Sequence, residues 1–298
     1  MGLTVLFVTG WCRSGSTVFG NVLAEIPGVF HAGELRYLWQ NGVLGTGSNR
    51  RCGCGVDLVD CPLWSKVADA GRPADRTLIE HATDVVGWQR DCRTRHTGRV
   101  LRRPPANGWP QTLLATYRAI ADQTGASVIV DSSKYASDAA LATHLDEIQP
   151  AYAHMVRDPR AVTFSWLSPK DYTGRRSALN STWYWLGFNM AAERVAKARP
   201  DAAVRLRYED FTTDPRGSVA GVLKMLDLPA EANPVAEDGS VELGPNHTVT
   251  GNPNRFERGR TKLREDLRWH TGLSRGARTA TTLLATPQLA RYGYARRP

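Results

Sequence analysis

Two short stretches of this chain carry groups that can hold anions. Gly10-Trp11-Cys12-Arg13-Ser14-Gly15-Ser16-Thr17 keeps the Gly-x4-Gly frame of a phosphate-binding turn, with Thr17 in the hydroxyl position. Ser16 stands where a nucleotide triphosphatase carries its lysine. Backbone amides and a helix N-terminus can still cradle a phosphate there, but the usual handle for a γ-phosphate and magnesium is missing. Arg13 can supply a cation instead. In the second stretch, Met155-Val156-Arg157-Asp158-Pro159-Arg160, Asp158 is a helix N-cap candidate and Pro159 suits the first helical position. Arg157 then closes a strand, and Ser165 lies about two turns into the following helix. A planar guanidinium and a hydroxyl converging there can bind one phosphate. Each stretch alone also reads as an ordinary helix start; together they suit a nucleotide phosphorylated at both its 5′ and 3′ positions.

These groups need strand ends to hold them. Apolar runs near residues 3–9, 127–131, 151–156 and 203–208 are each followed by helical periodicity, with a shorter strand near 28–31. The expected fold is α/β, a parallel sheet flanked by helices, with ligands at the carboxyl ends of the strands. No linker or repeat divides the chain, so residues 1–298 read as one domain. From about 42 to 126 the alternation lapses into a Gly/Cys loop, helical stretches near 63–90 and a proline-broken arginine-rich passage. That part reads as an insertion over the sheet edge, on the acceptor side. After Pro229 the chain reads as irregular to about residue 261, then helical near 276–290.

The formal charge of +9 on 298 residues calls for an anionic partner without choosing among nucleic acid, membrane surface and phosphorylated cofactor. Lysine supplies only six of the 38 basic residues in a chain rich in Ala and Arg, so part of the charge follows composition. The apolar run Leu3 to Val8 is too short for a membrane span and lacks a signal peptide's basic leader. A cytoplasmic protein without stable membrane insertion is expected. Five cysteines argue against a complete disulfide framework. Cys52-Gly53-Cys54 and Cys61 suggest zinc, but the spacing is not Cys-x2-Cys and no fourth ligand is evident, so no metal is expected. Trp183, Tyr184 and Trp185 could line a pocket, although such clusters are more often core.

The order and spacing of these pieces resemble the PAPS-dependent sulfotransferase family, especially its tyrosylprotein and carbohydrate branch and bacterial relatives. The Gly10–Thr17 segment resembles that family's 5′-phosphosulfate loop, with Arg13, Ser14, Gly15, Ser16 and Thr17 as contacts. Arg157 with Ser165 resembles its 3′-phosphate element, and Leu206-Arg207-Tyr208-Glu209-Asp210 another recurring segment. The resemblance implies a P-loop-type fold, PAPS as cofactor with PAP as product, and a hydroxyl-bearing acceptor that it does not identify. In His31-Ala32-Gly33-Glu34-Leu35-Arg36 it implies Glu34 as general base, with His31 a competitor and pairing to Arg36 the structural alternative. Lys134, in Asp131-Ser132-Ser133-Lys134, loosely matches a catalytic lysine; Ser132 and Ser133 also read as helix caps. His247 to Arg255 and the basic residues after it resemble a loop closing over the cofactor, with Arg255 the preferred contact.

Two other readings remain open at this level. A P-loop kinase would need Mg-ATP and a carboxylate for the metal, and Ser16 speaks against it. A basic nucleic-acid-binding module would show salt-steep affinity, but no zinc-finger, helix-turn-helix or RNA-binding signature is present. The oligomeric state is not set by the sequence.

Overall fold

The computed structural model describes residues 2–168 and 174–295. Five strands, β1 (Leu3–Gly10), β2 (Val29–Gly33), β3 (Val128–Lys134), β4 (Ile148–Val156) and β5 (Ala203–Arg207), form one sheet in the order β2-β3-β1-β4-β5. Every pairing is parallel. β1 is central, in register with β4 from Leu3↔Ile148 to Gly10↔Met155. Its apolar run Val5–Val8 follows from burial of both faces.

Alternation along β1 divides the core. Val5 and Phe7 pack with Ile129, Tyr152, Trp64, Val85, Trp109 and Tyr117 on one face. Leu6 and Val8 pack with Phe19, Val22, Met155, Phe211 and Val222 on the other. The stretch from 42 to 126 therefore shares a continuous core with the sheet. Its main helix, Trp109–Thr124, was not evident because Pro110 reads as a break; the proline sits in the first turn, where its missing N–H costs nothing, and Gly125 closes the helix at φ 70°.

Residues 229–261 are more regular than expected. β6 (Ser240–Leu243) and β7 (Gly259–Lys262) form a small antiparallel sheet. Four residues per strand is too short for alternation to register in sequence. The helix Arg275–Arg291 lies where periodicity places it.

From β1 the chain passes through the helix Ser16–Ala24 to β2, whereas from β4 it passes to β5 at the opposite edge. Crossovers that diverge in this way leave a crevice at the carboxyl ends of the central strands.

Candidate active site

A cleft of about 730 Å³ occupies that crevice. The turn after β1 forms its floor. Arg13 is held at φ 72° with its guanidinium 4.9 Å from the Trp166 ring centre, and Gly15 caps the helix Ser16–Ala24 at φ 86°. A Cβ on Gly15 would come within 2.6 Å of the Tyr208 ring, so this backbone must be glycine to let the turn lie against it. Thr17 Oγ1 accepts from the Asn252 amide at 3.4 Å. Of the five contacts expected in the turn, Ser14 does not line the cleft: it is buried, with no partner for its hydroxyl among the described residues.

The end of β4 forms the facing wall. Asp158 caps the helix Pro159–Leu167 through the Arg160 amide, as the sequence predicts. Glu209 accepts from the Asp158 amide at 3.0 Å and from the Tyr294 hydroxyl at 2.7 Å, bracing that helix start. Arg157 donates to the carbonyls of Arg13 (3.1 Å) and Asp266 (3.3 Å), with its guanidinium 4.3 Å from the Tyr208 ring centre. Arg157, Ser165 and Tyr208 all line the cleft.

At the end of β3, Lys134 takes φ 71° and donates from Nζ to Glu34 Oε1 at 2.6 Å and to the Ser132 carbonyl at 2.9 Å. Burial by itself would push this ammonium down; Glu34, which also accepts its hydrogen bond, and Cys12 together hold it above the ordinary lysine value. The other groups near Glu34 are engaged elsewhere. His31 is buried between Asn21 Oδ1 (3.1 Å) and Ser132 Oγ (3.0 Å), and burial, helped by Lys134, pushes it down to about 3. Arg36 pairs with Asp138 at 2.6 Å rather than with Glu34. Asp131 accepts from the Tyr117 hydroxyl at 2.7 Å inside the core, and burial pushes it up to about 6. Ser132 and Ser133 bond His31 and the Arg36 amide, so neither is a helix cap.

A loop from the last quarter of the chain crosses in front. The Val249 amide donates to the Ala32 carbonyl at 2.9 Å, and the Glu34 amide to the Val249 carbonyl at 2.7 Å. Gly33, at φ 78°, permits this: a Cβ there would lie 2.4 Å from the Val249 carbonyl oxygen. Thr250, at φ 52°, accepts from Asn41 Nδ2 (3.1 Å) and donates to the Asn49 carbonyl (3.2 Å). Arg255 is buried and donates to the Gly251 carbonyl (2.8 Å), Asn49 Oδ1 (2.7 Å) and the Arg51 carbonyl (3.2 Å). It ties two loops together and borders a second, smaller hollow instead of lining the main cleft. Three of the four non-glycine residues with positive φ among the described residues, Arg13, Lys134 and Thr250, line the cleft. Such strain concentrates where surrounding structure fixes a functional geometry.

Sequence reading missed, among others, Tyr37, Asn49, Asp266 and Arg268, which also line the cleft. They lie outside the motifs and nothing local signals them. Asp266 bonds Arg268 at 2.7 Å and lies 3.6 Å from Arg157; the Arg268 hydrogen bond is the main reason its carboxyl sits at about 2. The aromatic triplet splits by helical geometry. Trp185 is buried and donates to the Arg157 carbonyl, Tyr184 stacks on Trp11, and Trp183 is 71% exposed. The arginines at 90, 93, 95, 99, 102 and 103 do not line the cleft.

Six cationic side chains and three carboxylates line the cleft. Together with the turned backbone at a helix start, this donor set fits a multiply charged anion with room for a nucleotide. A parallel α/β sheet carrying such a cleft at its switch point places the chain among folds that bind ligands at the carboxyl ends of their strands. The chain belongs to the sulfotransferase family, whose model matches residues 6–232. Solved structures share the fold at low identity. The sulfotransferase domain of the Synechococcus PCC 7002 olefin synthase has a TM-score of 0.56 at 19% identity, covering 99% of this chain and 95% of that one. The sulfotransferase domain from the curacin biosynthetic pathway has a TM-score of 0.55 at 15% identity, covering 99% of both chains. No curated protein sequence matches significantly. Among the described residues, no helix is long and apolar enough to cross a membrane.

Proposed function

We propose that the protein transfers a sulfuryl group from PAPS to an acceptor hydroxyl, with Glu34 as general base. The observation that carries this reading is the convergence of Glu34, Lys134, the Gly10–Thr17 turn and the Arg157–Ser165 pair on one cleft. PAPS, when bound, supplies the sulfuryl group, and its 3′,5′-bisphosphate remains behind as product. The turn and Arg13 would hold the 5′ side; Arg157 and Ser165 would hold the 3′-phosphate, with Tyr208 packed under Arg157. Ser14 and Arg255 serve these contacts indirectly, one inside the turn and one as a clamp on the loop in front.

Glu34 receives the proton of the acceptor hydroxyl, which makes that oxygen nucleophilic as it approaches sulfur. Lys134, already within hydrogen-bond reach of Glu34, orients the carboxylate and offers positive charge where negative charge grows on the transferred group. His31 is a poor alternative base because its ring, on β2, is buried with both nitrogens engaged. Cys12 lines the cleft, but burial raises its thiol above the usual range, which favours a direct transfer over a thiolate intermediate. Tyr37 and Trp166 give the acceptor side aromatic walls.

Calorimetric titration with PAP, using Mg-ATP and adenosine-5′-phosphate as controls, tests the reading. Metal-independent binding that requires the 3′-phosphate is the expected result. A preference for Mg-ATP would replace the sulfuryl reading with a kinase.

A further inference from the structure

Away from the cleft floor, Cys52, Cys54, Cys61 and His247 form a cluster whose ligand atoms all lie within 4.8 Å of one another. We propose that these four residues bind one zinc-type divalent cation as a structural Cys3His site. The edges of a tetrahedron built with Zn–S near 2.3 Å and Zn–N near 2.0 Å are about 3.8 Å for S···S and about 3.5 Å for S···N. Cys54 Sγ and Cys61 Sγ are 3.9 Å apart, and His247 Nδ1 lies 3.7 Å from Cys52 Sγ and 3.3 Å from Cys61 Sγ. That is the spacing of ligands around a shared central ion. None of the cysteines is in a disulfide.

Cys52 and Cys61 are fully buried, while Cys54 faces solvent and leaves an entry path. Four protein ligands close a tetrahedron, which marks a structural ion rather than one that activates substrate. Binding releases the three thiol protons to solvent, so affinity falls as pH drops. The sequence lacked the fourth ligand because it lies 186 residues beyond Cys61.

The position gives the ion a task. Gly53 donates to the Thr248 carbonyl, Cys52 bridges Val249, and Val249 in turn receives the Glu34 amide. The ion would lock the Cys52–Cys61 loop to the loop that positions Glu34.

Elemental analysis of the full-length protein, purified without metal-affinity resin or chelator, should find about one zinc per chain. Cobalt reconstitution should give the strong visible ligand-field bands of a tetrahedral thiolate site. Cys54→Ser and His247→Ala should lose bound metal, and Cys12→Ser should not. Because variants can misfold, the native protein is also titrated with a mercurial, which should release the metal as three thiols react. Metal-free folded protein that takes up neither zinc nor cobalt, or a mass two hydrogen atoms lower showing a disulfide within the cluster, would overturn the site. Both readouts are independent of PAP binding and turnover.

Discussion

The turn after β1 and the loop in front of Glu34 meet at the same cleft, yet they are built differently. In the turn, Arg13, Gly15, Ser16 and Thr17 are neighbours in sequence, and one strand-to-helix junction fixes them all. The loop in front is fixed by distant partners: Asn41 and Asn49 hold Thr250, Asn49 and Arg51 hold Arg255, and Ala32 holds Val249. The first kind of region is set by local backbone chemistry and the second by long-range closure. Damage to the turn should be read in ligand contacts, and damage to the loop in stability and alignment.

The largest effect that separates the two is expected at Glu34, where both meet. Glu34→Gln should lower turnover by ~10²- to 10⁴-fold while PAP affinity stays close to that of the parent; unaltered turnover would place the base elsewhere. Next in size, Arg157→Ala should weaken PAP binding by ~10- to 100-fold and adenosine-5′-phosphate binding far less. Arg255→Ala should behave as a loop lesion instead. It removes hydrogen bonds to one buried and two partly exposed acceptors, costs ~2 kcal/mol in denaturant unfolding, and weakens both nucleotides alike. A selective loss of the 3′-phosphate contribution in Arg255→Ala would dissolve the distinction.

The sheet itself should report through pH. Burial pushes His31 down to about 3 and His154 to about 4, so both stay neutral in the native state well below the ordinary histidine range. The unfolded chain binds their protons near pH 6.5 and the folded chain does not, so stability is lost as pH falls below 6.5 and towards 4. At pH 5 the loss is ~2 kcal/mol for each histidine, measurable by denaturant unfolding at pH 7 and pH 5. A loss of about half that total would show that one ring gains its proton in the folded protein, and a flat profile that both do. Smallest of all, Trp183→Ser should change stability by less than about 0.5 kcal/mol, because the ring is exposed and outside both regions.

The same contrast explains what could be read from sequence. The central strands β1, β3 and β4 are visible as apolar runs because burial on two faces leaves little polar alternation, whereas the edge strand β5, with Arg205 exposed, shows only as a short alternating run. Asp158, Pro159 and Arg157 are legible together because capping is local. Arg255 is legible as a basic residue in a suggestive loop but not as a clamp, since its acceptors belong to residues 49 and 51. His247 and Arg268 have no local signature. Pro110 misleads because the same residue breaks a helix interior and starts a helix well.

Arg13, Lys134 and Thr250 hold left-handed backbones that glycine would adopt without steric cost, at ~1 to 2 kcal/mol for each side-chain-bearing residue. A chain tuned only for rigidity would relax all three. Thr250→Gly would relieve one of them, yet it would also remove the hydroxyl that joins residues 41 and 49 to the front loop. Amide hydrogen exchange should therefore find its earliest opening at this rim, with the central strands exchanging last. Such an order of exchange would mark the rim, held by side-chain bonds instead of sheet pairing, as the least protected wall of the cleft.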